Sequence, residues 1–215
     1  MWKNVAGAAA AGAGLYAARR FYRNWGTTKE ECETPLPGDE LVGRPAVQTT
    51  EGVWIDAPAG AVWPWLVQMG QDRGGLYSYE RLENLVGLKY HNADRIHPEW
   101  QRLTVGDVVR LVPPGWLGRR DGLALPVAQI IEGQSIVLRQ QPPQFAFDAV
   151  WSFHVMPRWE DRCRLLVRSR SRMRQPGEVL GAELAGPVMA LMTRGLLLGI
   201  KRRAEQAWRV NRPPA

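Results

Sequence analysis

Three side chains of the types that bind metals lie close together in the middle of the chain: His91, Asp94 and His97. Two imidazoles and a carboxylate are donors that zinc accepts. However, the segment has no helical pattern that would fix their geometry, and no further strong ligand is adjacent. The cluster is interpreted as loop hydrogen bonding, and no metal site is predicted.

Asp94 and three other side chains have the chemistry of general acids or bases, provided that they point into a cavity: Tyr79, Glu83 and His154. His154 alternates with the bulky residues Trp151, Phe153 and Val155, whose face is expected to be the interior one. This alternation leaves His154 on the opposite face. The sequence contains no Ser-His-Asp order, phosphate-binding Gly loop or nucleotide motif. No cofactor is predicted, and catalytic residues stay unassigned.

The composition indicates one globular domain in which these residues must be held. The chain has 215 residues, of which 45% are hydrophobic and 23% charged, and this excludes wholesale disorder. Ten Trp residues favour a roomy, aromatic-rich interior. The two cysteines, Cys32 and Cys163, lie far apart and are predicted to be free thiols in a reducing compartment.

The net charge of +7 favours contact with anionic surfaces, which leaves lipid headgroups and nucleic acid open. Residues 1–24 combine a short Ala/Gly-rich apolar run with the basic residues Arg19, Arg20 and Arg23. A weak membrane anchor formed by residues 1–22, a signal peptide and a helix packed on the domain are all compatible with this segment. Because the basic cluster follows the apolar run, the anchor is preferred, with the following domain on the cytoplasmic side.

Residues 25–46 are polar and interrupted by Pro and Gly, which predicts an extended linker or arm before a domain at 47–210. A strand near Gln48–Ile55 is followed by two short helices. The first carries Val62, Trp63, Trp65 and Leu66 around an awkward Pro64, and the second begins at Ser78 and ends near Gly87.

Closely spaced alternating runs then predict an antiparallel sheet, with strands at Asp107–Val112, Leu123–Ile131, Ser135–Gln140, Asp148–Met156 and Cys163–Met173. In the last strand, every second residue is basic: Arg164, Arg168, Arg170, Arg172 and Arg174 share a side with Leu166. These arginines are predicted to face water, and the other side to face the core.

The segment Pro187–Trp208 predicts one long C-terminal helix whose apolar stripe is too broad for a surface helix. We therefore expect Leu191, Leu196 and Ile200 to be buried. Glu183, Arg194 and several Gly argue against a transmembrane helix. Gly195 and Gly199 are small, so gaps are expected between this helix and the sheet.

Several stretches resemble one protein family: the segments 25–28, 36–39, 61–70, 74–79, 82–85, 93–96, 105–107 and 199–205. Through them the sequence resembles the SRPBCC superfamily (START, pollen-allergen and polyketide cyclase/dehydrase-like proteins), and within it an actinobacterial group without a defined function. The resemblance implies an α+β helix-grip fold, in which a curved antiparallel sheet wraps a long C-terminal helix and two short helices follow the first strand.

The resemblance also implies an internal cavity for a hydrophobic small molecule or lipid, and only some members are enzymes. Predicted cavity residues are Trp63, Trp65, Tyr77, Tyr79, Trp151, Phe153, Met192, Gly195, Leu196 and Gly199. Non-catalytic binding is preferred, and a cyclase/dehydrase-type enzyme using acid/base groups in the same cavity is the alternative. Nucleic-acid binding is least favoured, because the basic strand lacks interleaved aromatic residues.

Overall fold

The computed structural model describes residues 7, 14, 19–142, 147–173 and 175–211. In these residues, six antiparallel strands form one sheet in the order β1-β6-β5-β4-β3-β2. The strands are β1 Val47–Ile55, β2 Val108–Val112, β3 Leu123–Ile131, β4 Ser135–Gln140, β5 Asp148–Trp159 and β6 Arg162–Arg172. The first strand pairs with the last, and β2 to β6 follow one another as hairpins, as the closely spaced alternating runs predicted.

Four described α-helices accompany the sheet: α1 Lys29–Glu33, α2 Ala59–Val67, α3 Glu80–Leu85 and α4 Pro176–Asn211. Short 3-10 turns lie at Asp39–Val42, Pro98–Trp100 and Trp116–Gly118. The two short helices after β1 and the long C-terminal helix confirm the helix-grip architecture. A capping box starts α1, since the Thr28 side chain and the Glu31 carboxylate bond each other's backbone N–H.

Helix α4 begins at Pro176 and not at the predicted Pro187, which lies inside it. Proline suits a first helical turn because it has no N–H to leave unbonded, and this preference suggested the later start. The helix continues through Pro187 although Gly177, Gly181 and Gly186 disfavour it. Contacts of Arg19 and Arg23 with Glu183 hold the preceding turns.

The core lies between the inner face of the sheet and the C-terminal half of α4. Leu196, Leu197, Ile200 and Ala204 of α4 pack in one cluster with inner-face residues of every strand, including Val53, Val109, Val127, Ile136, Phe153 and Leu165. Leu196 and Ile200 are buried as predicted, but Leu191 is 45% exposed. Leu196 follows Leu191 by five positions, which corresponds to a rotation of about 140° around the helix axis. The two side chains therefore cannot share a face.

The arginines of β6 lie opposite the core, as predicted, but the prediction that they face water was wrong for the central ones. Arg164 and Arg168 are 2% and 1% exposed, and Arg170 is half-buried. Arg172 is exposed, and Arg174 lies outside the described residues. Residues 25–46 cover this outer face of the sheet and bring Glu31 and Asp39 to the guanidinium groups.

Every N–H of the Arg168 guanidinium has an acceptor. Its Nη1 donates to Asp39 Oδ2 (2.6 Å) and to the Thr34 carbonyl (2.8 Å). Its Nη2 donates to the carbonyls of Glu31 (2.7 Å) and Cys32 (3.2 Å), and its Nε to Thr50 Oγ1 (3.1 Å). Five satisfied donors compensate for burying the charge and fix the path of residues 31–39 across the sheet.

A second, smaller apolar cluster lies under the same segment and contains Val42, Val137 and Val150. Gly38 takes a left-handed conformation (φ 91°), and a Cβ there would lie 2.6 Å from Val137 Cγ1. Only glycine permits this close approach between the segment and β4. The outer face is therefore packed like an interior.

Replacing Arg168 with Met should destabilise the domain by about 3–5 kcal/mol, because Asp39 and three backbone carbonyls lose a buried donor. Urea unfolding monitored by Trp fluorescence measures this change. Arg172→Met, on the same strand and face but exposed, is the matched control and should change stability by about 0.5 kcal/mol or less. Equal effects of the two substitutions would contradict the role given to Arg168.

Candidate functional site

The predicted cavity aromatics gather between the inner face of the sheet, α2 and α4. Trp65, Tyr77 and Phe153 are buried, and Trp63 and Trp151 are half-buried. Trp65 meets Tyr77 edge-on with ring centroids 5.7 Å apart, and the Tyr77 hydroxyl donates to the Trp65 carbonyl (3.0 Å). Trp151 and Phe153 form a second edge-to-face pair at 4.6 Å. The rings interlock in geometries that aromatic side chains prefer.

The gaps predicted beside Gly195 and Gly199 are filled by the segment that follows α2. A Cβ at Gly195 would lie 2.6 Å from Tyr79 Cε2, and one at Gly199 would lie 1.9 Å from the Tyr77 carbonyl oxygen. The two glycines therefore allow close contact between this segment and α4, and the expectation that they mark empty space was wrong. Of the two other helix residues predicted for the cavity, Leu196 is buried and Met192 is half-buried.

Glu51 is a carboxyl on the inner face that the sequence interpretation did not single out. Strand pairing sets it opposite Val167, a core residue, and its side chain is 2% exposed. Burial raises the pKa of Glu51 to about 8, although the Arg194 charge and a Thr193 hydrogen bond act in the opposite direction. Glu51 is therefore mostly protonated at neutral pH and can donate a proton.

Alternation along β1 could have identified Glu51. Val53 and Ile55 share its parity and belong to the core, so a period of two assigns Glu51 to the same face. The usual preference of carboxylates for water argued against that placement.

Unpartnered polar atoms mark the same interior. Glu51 Oε2 and the Trp65 indole Nε1 are buried and have no hydrogen-bond partner among the described residues. The buried Nε of Arg194 is likewise unpartnered, and its guanidinium stacks 4.4 Å from the Trp25 ring. Such groups are rare in folded proteins and each needs an explanation.

The other acid/base candidates lie away from this interior or on its rim. Tyr79 is 38% exposed, Asp94 is exposed, and Glu83 is buried beside Ser78, whose hydroxyl donates to it. Burial raises the pKa of Glu83. These groups are not brought together with Glu51 by any contact among the described residues.

His154 lies on the outer face, as predicted, but it is buried there. Its Nδ1 is 2.9 Å from Ser135 Oγ and its Nε2 is 2.9 Å from Ser152 Oγ. Ser152 donates onward to the Arg168 carbonyl (3.3 Å), so the imidazole is the donor to Ser152 and the acceptor from Ser135. Burial and the nearby Arg168 charge lower the pKa of His154 to about 4. A neutral histidine fixed between two serines has a structural role.

The cluster His91, Asp94 and His97 is not arranged as one site. His91 Nδ1 is 3.5 Å from Glu80 Oε1, whereas His97 Nδ1 is 3.1 Å from Glu99 Oε1 and stacks on Trp100. In the part of the chain that the structure describes, no group of three or more His, Cys, Asp or Glu side chains could hold a metal ion.

These features define the class of the protein as an α+β helix-grip protein with an aromatic interior. No family model matches the chain, and no curated protein matches its sequence. Similar solved structures include a START superfamily protein from Mycobacterium smegmatis (16% identity, 70% of this chain and 98% of that one, TM-score 0.36). Others are norcoclaurine synthase from Thalictrum flavum (14%, 78% and 95%, 0.43) and a self-sacrificing resistance protein from Micromonospora echinospora (8%, 74% and 95%, 0.46).

These matches carry no argument about ligand or activity, because identity is low and the TM-scores are below 0.5. The assignment of the fold rests on the observed strand order and on the position of α4 against the inner face.

Glu51→Gln should make the folded chain more stable at pH 7 by up to about 3 kcal/mol. Glu51 keeps its proton in the folded state to a pKa of about 8, against 4.5 for the ordinary group. The stabilisation that protonated Glu51 contributes is therefore fully present below pH 4.5 and is lost as the pH rises towards 8. Urea unfolding of both proteins from pH 4.5 to 8 should give curves that diverge with pH. Parallel curves would show that Glu51 is ionised in the folded protein.

Proposed function

We propose that the protein binds a hydrophobic small molecule or lipid in its interior, between the inner face of the sheet and α4. The observation that carries this proposal is that Glu51 Oε2 and Trp65 Nε1 are both buried without a hydrogen-bond partner among the described residues, on elements that face the same apolar cluster. A buried polar group without a partner costs about 1–3 kcal/mol. A bound molecule with a hydroxyl or carbonyl group supplies the missing hydrogen bond and removes that cost.

Affinity comes mainly from apolar area. Trp63 and Trp151 pack against the core but remain half-buried, so a ligand can cover what is left of their rings. Each Å² of apolar surface removed from water contributes about 25 cal/mol. The polar atoms orient the ligand, a division of roles common in small-molecule sites.

Entry requires movement beside Gly195. The Tyr79 ring closes the space between α4 and the start of α3, and it is 38% exposed. We propose that a ligand displaces this ring outwards. The other predicted lining residues then form the wall: Trp65, Tyr77, Phe153, Met192, Leu196 and Gly199.

A fluorescent fatty acid such as parinaric acid should bind the protein and accept energy from its Trp residues. Ser169→Leu should weaken this binding at least tenfold, because Ser169 pairs with Trp151 on the inner face and a larger side chain occupies the same space. Fluorescence titration measures both affinities.

Arg172→Leu is the matched control, since Arg172 lies on the same strand but is exposed on the opposite face. It should bind the probe like the unmodified protein. Binding that is unaffected by Ser169→Leu, or equally affected by both substitutions, would place the probe outside the interior and contradict the proposal.

An enzyme of cyclase or dehydrase type is the second candidate, and Glu51 favours it. A buried carboxyl that is protonated at pH 7 can donate a proton to a bound carbonyl and take one back. Turnover of a short poly-β-keto thioester should then fall above about pH 8, where Glu51 ionises. Glu51→Gln should abolish turnover while parinaric acid still binds. Full turnover by Glu51→Gln would exclude this role.

We also propose a cytoplasmic location, with residues 1–22 holding the protein at the inner face of the cell membrane. Support comes from the Ala/Gly-rich run that precedes Arg19, Arg20 and Arg23. Residues 1–6, 8–13 and 15–18 lie outside the described part of the chain, so the proposal rests on their sequence.

A further inference from the structure

The N-terminal half of α4 turns an entirely apolar face to solvent. Between positions 179 and 193 the exposed residues are Leu180, Gly181, Leu184, Ala185, Pro187, Val188, Met189 and Leu191. The larger side chains among them are 45% to 73% exposed. We call these eight residues the α4 apolar face.

The C-terminal half of the same helix follows the ordinary rule for a helix in water. Its buried side carries Leu196, Leu197 and Ile200. Its exposed side is mostly polar, with Arg202, Gln206 and Arg209 beside Leu198 and Val210. An apolar stripe on a soluble helix normally faces the core. The α4 apolar face breaks that rule over several turns, and exposed apolar patches of this kind mark interaction sites.

Residues 19–23 cover only the opposite side of this half-helix. Glu183 accepts from Arg19 Nη2 (2.6 Å) and from Arg23 Nη2 (2.5 Å), and a Cβ at Gly186 would lie 3.0 Å from the Tyr22 ring. These contacts place a basic segment on the opposite side of α4 and leave the α4 apolar face uncovered by residues 19–23.

A basic groove lies next to this segment. It has a volume of about 670 Å³, and its cationic lining residues are Arg19, Arg20, Arg23 and Lys29. The Arg20 side chain is exposed and makes no ion pair or hydrogen bond within the described residues. Lys29 is 76% exposed and pairs with Glu33 (3.7 Å), which also lines the groove. Phe21, 64% exposed, lies between the cations and α4 and stacks against Arg194. The cations and Phe21 thus lie together on the side of α4 that residues 19–23 cover.

We infer that the α4 apolar face docks on an anionic lipid bilayer and lies in the acyl boundary, while the basic groove, on the opposite side of the helix, lies on the headgroup side. By length and composition, α4 is long and apolar enough to cross a membrane, and 33% of its most apolar 18-residue stretch is buried. However, residues 180–191 extend only about 17 Å, short of the roughly 30 Å of a bilayer core. The helix then continues into the protein core, so it lies along the membrane surface.

The chemistry favours a bilayer over a protein partner. An interfacial helix combines a wide apolar face with flanking cations, and anionic headgroups attract each nearby Lys or Arg. The α4 apolar face carries no polar side chain that could specify a protein partner, whereas the net charge of +7 complements anionic lipid.

The test is sedimentation of the full-length protein with vesicles of phosphatidylcholine, alone or with one third phosphatidylglycerol. The protein should bind the anionic vesicles more tightly, and high salt should weaken that binding. Leu184→Gln with Val188→Gln should reduce binding at least tenfold, because two aliphatic side chains no longer enter the bilayer. Arg20→Gln with Lys29→Gln should remove the preference for phosphatidylglycerol.

Leu82→Gln with Leu85→Gln on α3 is the matched control, since both residues are aliphatic and at least half exposed. It should bind vesicles like the unmodified protein, and circular dichroism should show each variant folded. Unchanged binding of the Leu184/Val188 variant would assign all membrane contact to other residues and overturn the inference. A dimer in solution that the same variant dissociates, without vesicle binding, would show that the α4 apolar face covers a second copy.

Discussion

The arrangement of the two sheet faces depends on the hydrogen bonds and the ion pair of the buried Arg168 guanidinium. Taking an arginine out of water costs several kcal/mol unless each N–H finds an acceptor. Four of the five acceptors belong to residues 31–39, so the charge is tolerated only while that segment lies on the sheet. With the outer face closed in this way, the proposed ligand site lies on the other side of the sheet, between the inner face and α4.

Sequence periodicity predicted the strands, their antiparallel pairing and the side on which each β6 residue lies. A period of two assigns a side to each residue but does not show what covers that side. The burial of Arg164 and Arg168 depends on Glu31 and Asp39, more than 120 residues earlier in the chain. Within the polar, Pro-rich segment, the capping box of Thr28 and Glu31 was a local sign of ordered structure.

The interior was predicted less completely, because a small or polar residue there is compatible with two different structures. A glycine on a helix can leave a gap or admit a close neighbour, and the choice at Gly195 and Gly199 depends on Tyr77 and Tyr79 from a distant segment. A carboxyl in a strand normally faces water, but alternation places Glu51 inside. At the two glycines tertiary contacts decide, and no local pattern contains them. At Glu51 two local signals disagree, since alternation indicates the interior and the charge of a carboxylate indicates water.

The two halves of α4 meet where Tyr79 contacts Gly195, and at this position the proposed ligand entry lies next to the proposed bilayer contact. Leu191 lies four residues before Gly195 and therefore on nearly the same side of the helix. A ring displaced at Gly195 opens next to the end of the α4 apolar face. If that face lies in the acyl boundary, an apolar molecule can pass from lipid to the interior without exposing its surface to water, which would cost about 25 cal/mol per Å². The proposed transfer uses both the exposed half of α4 and its buried half, which one continuous helix joins.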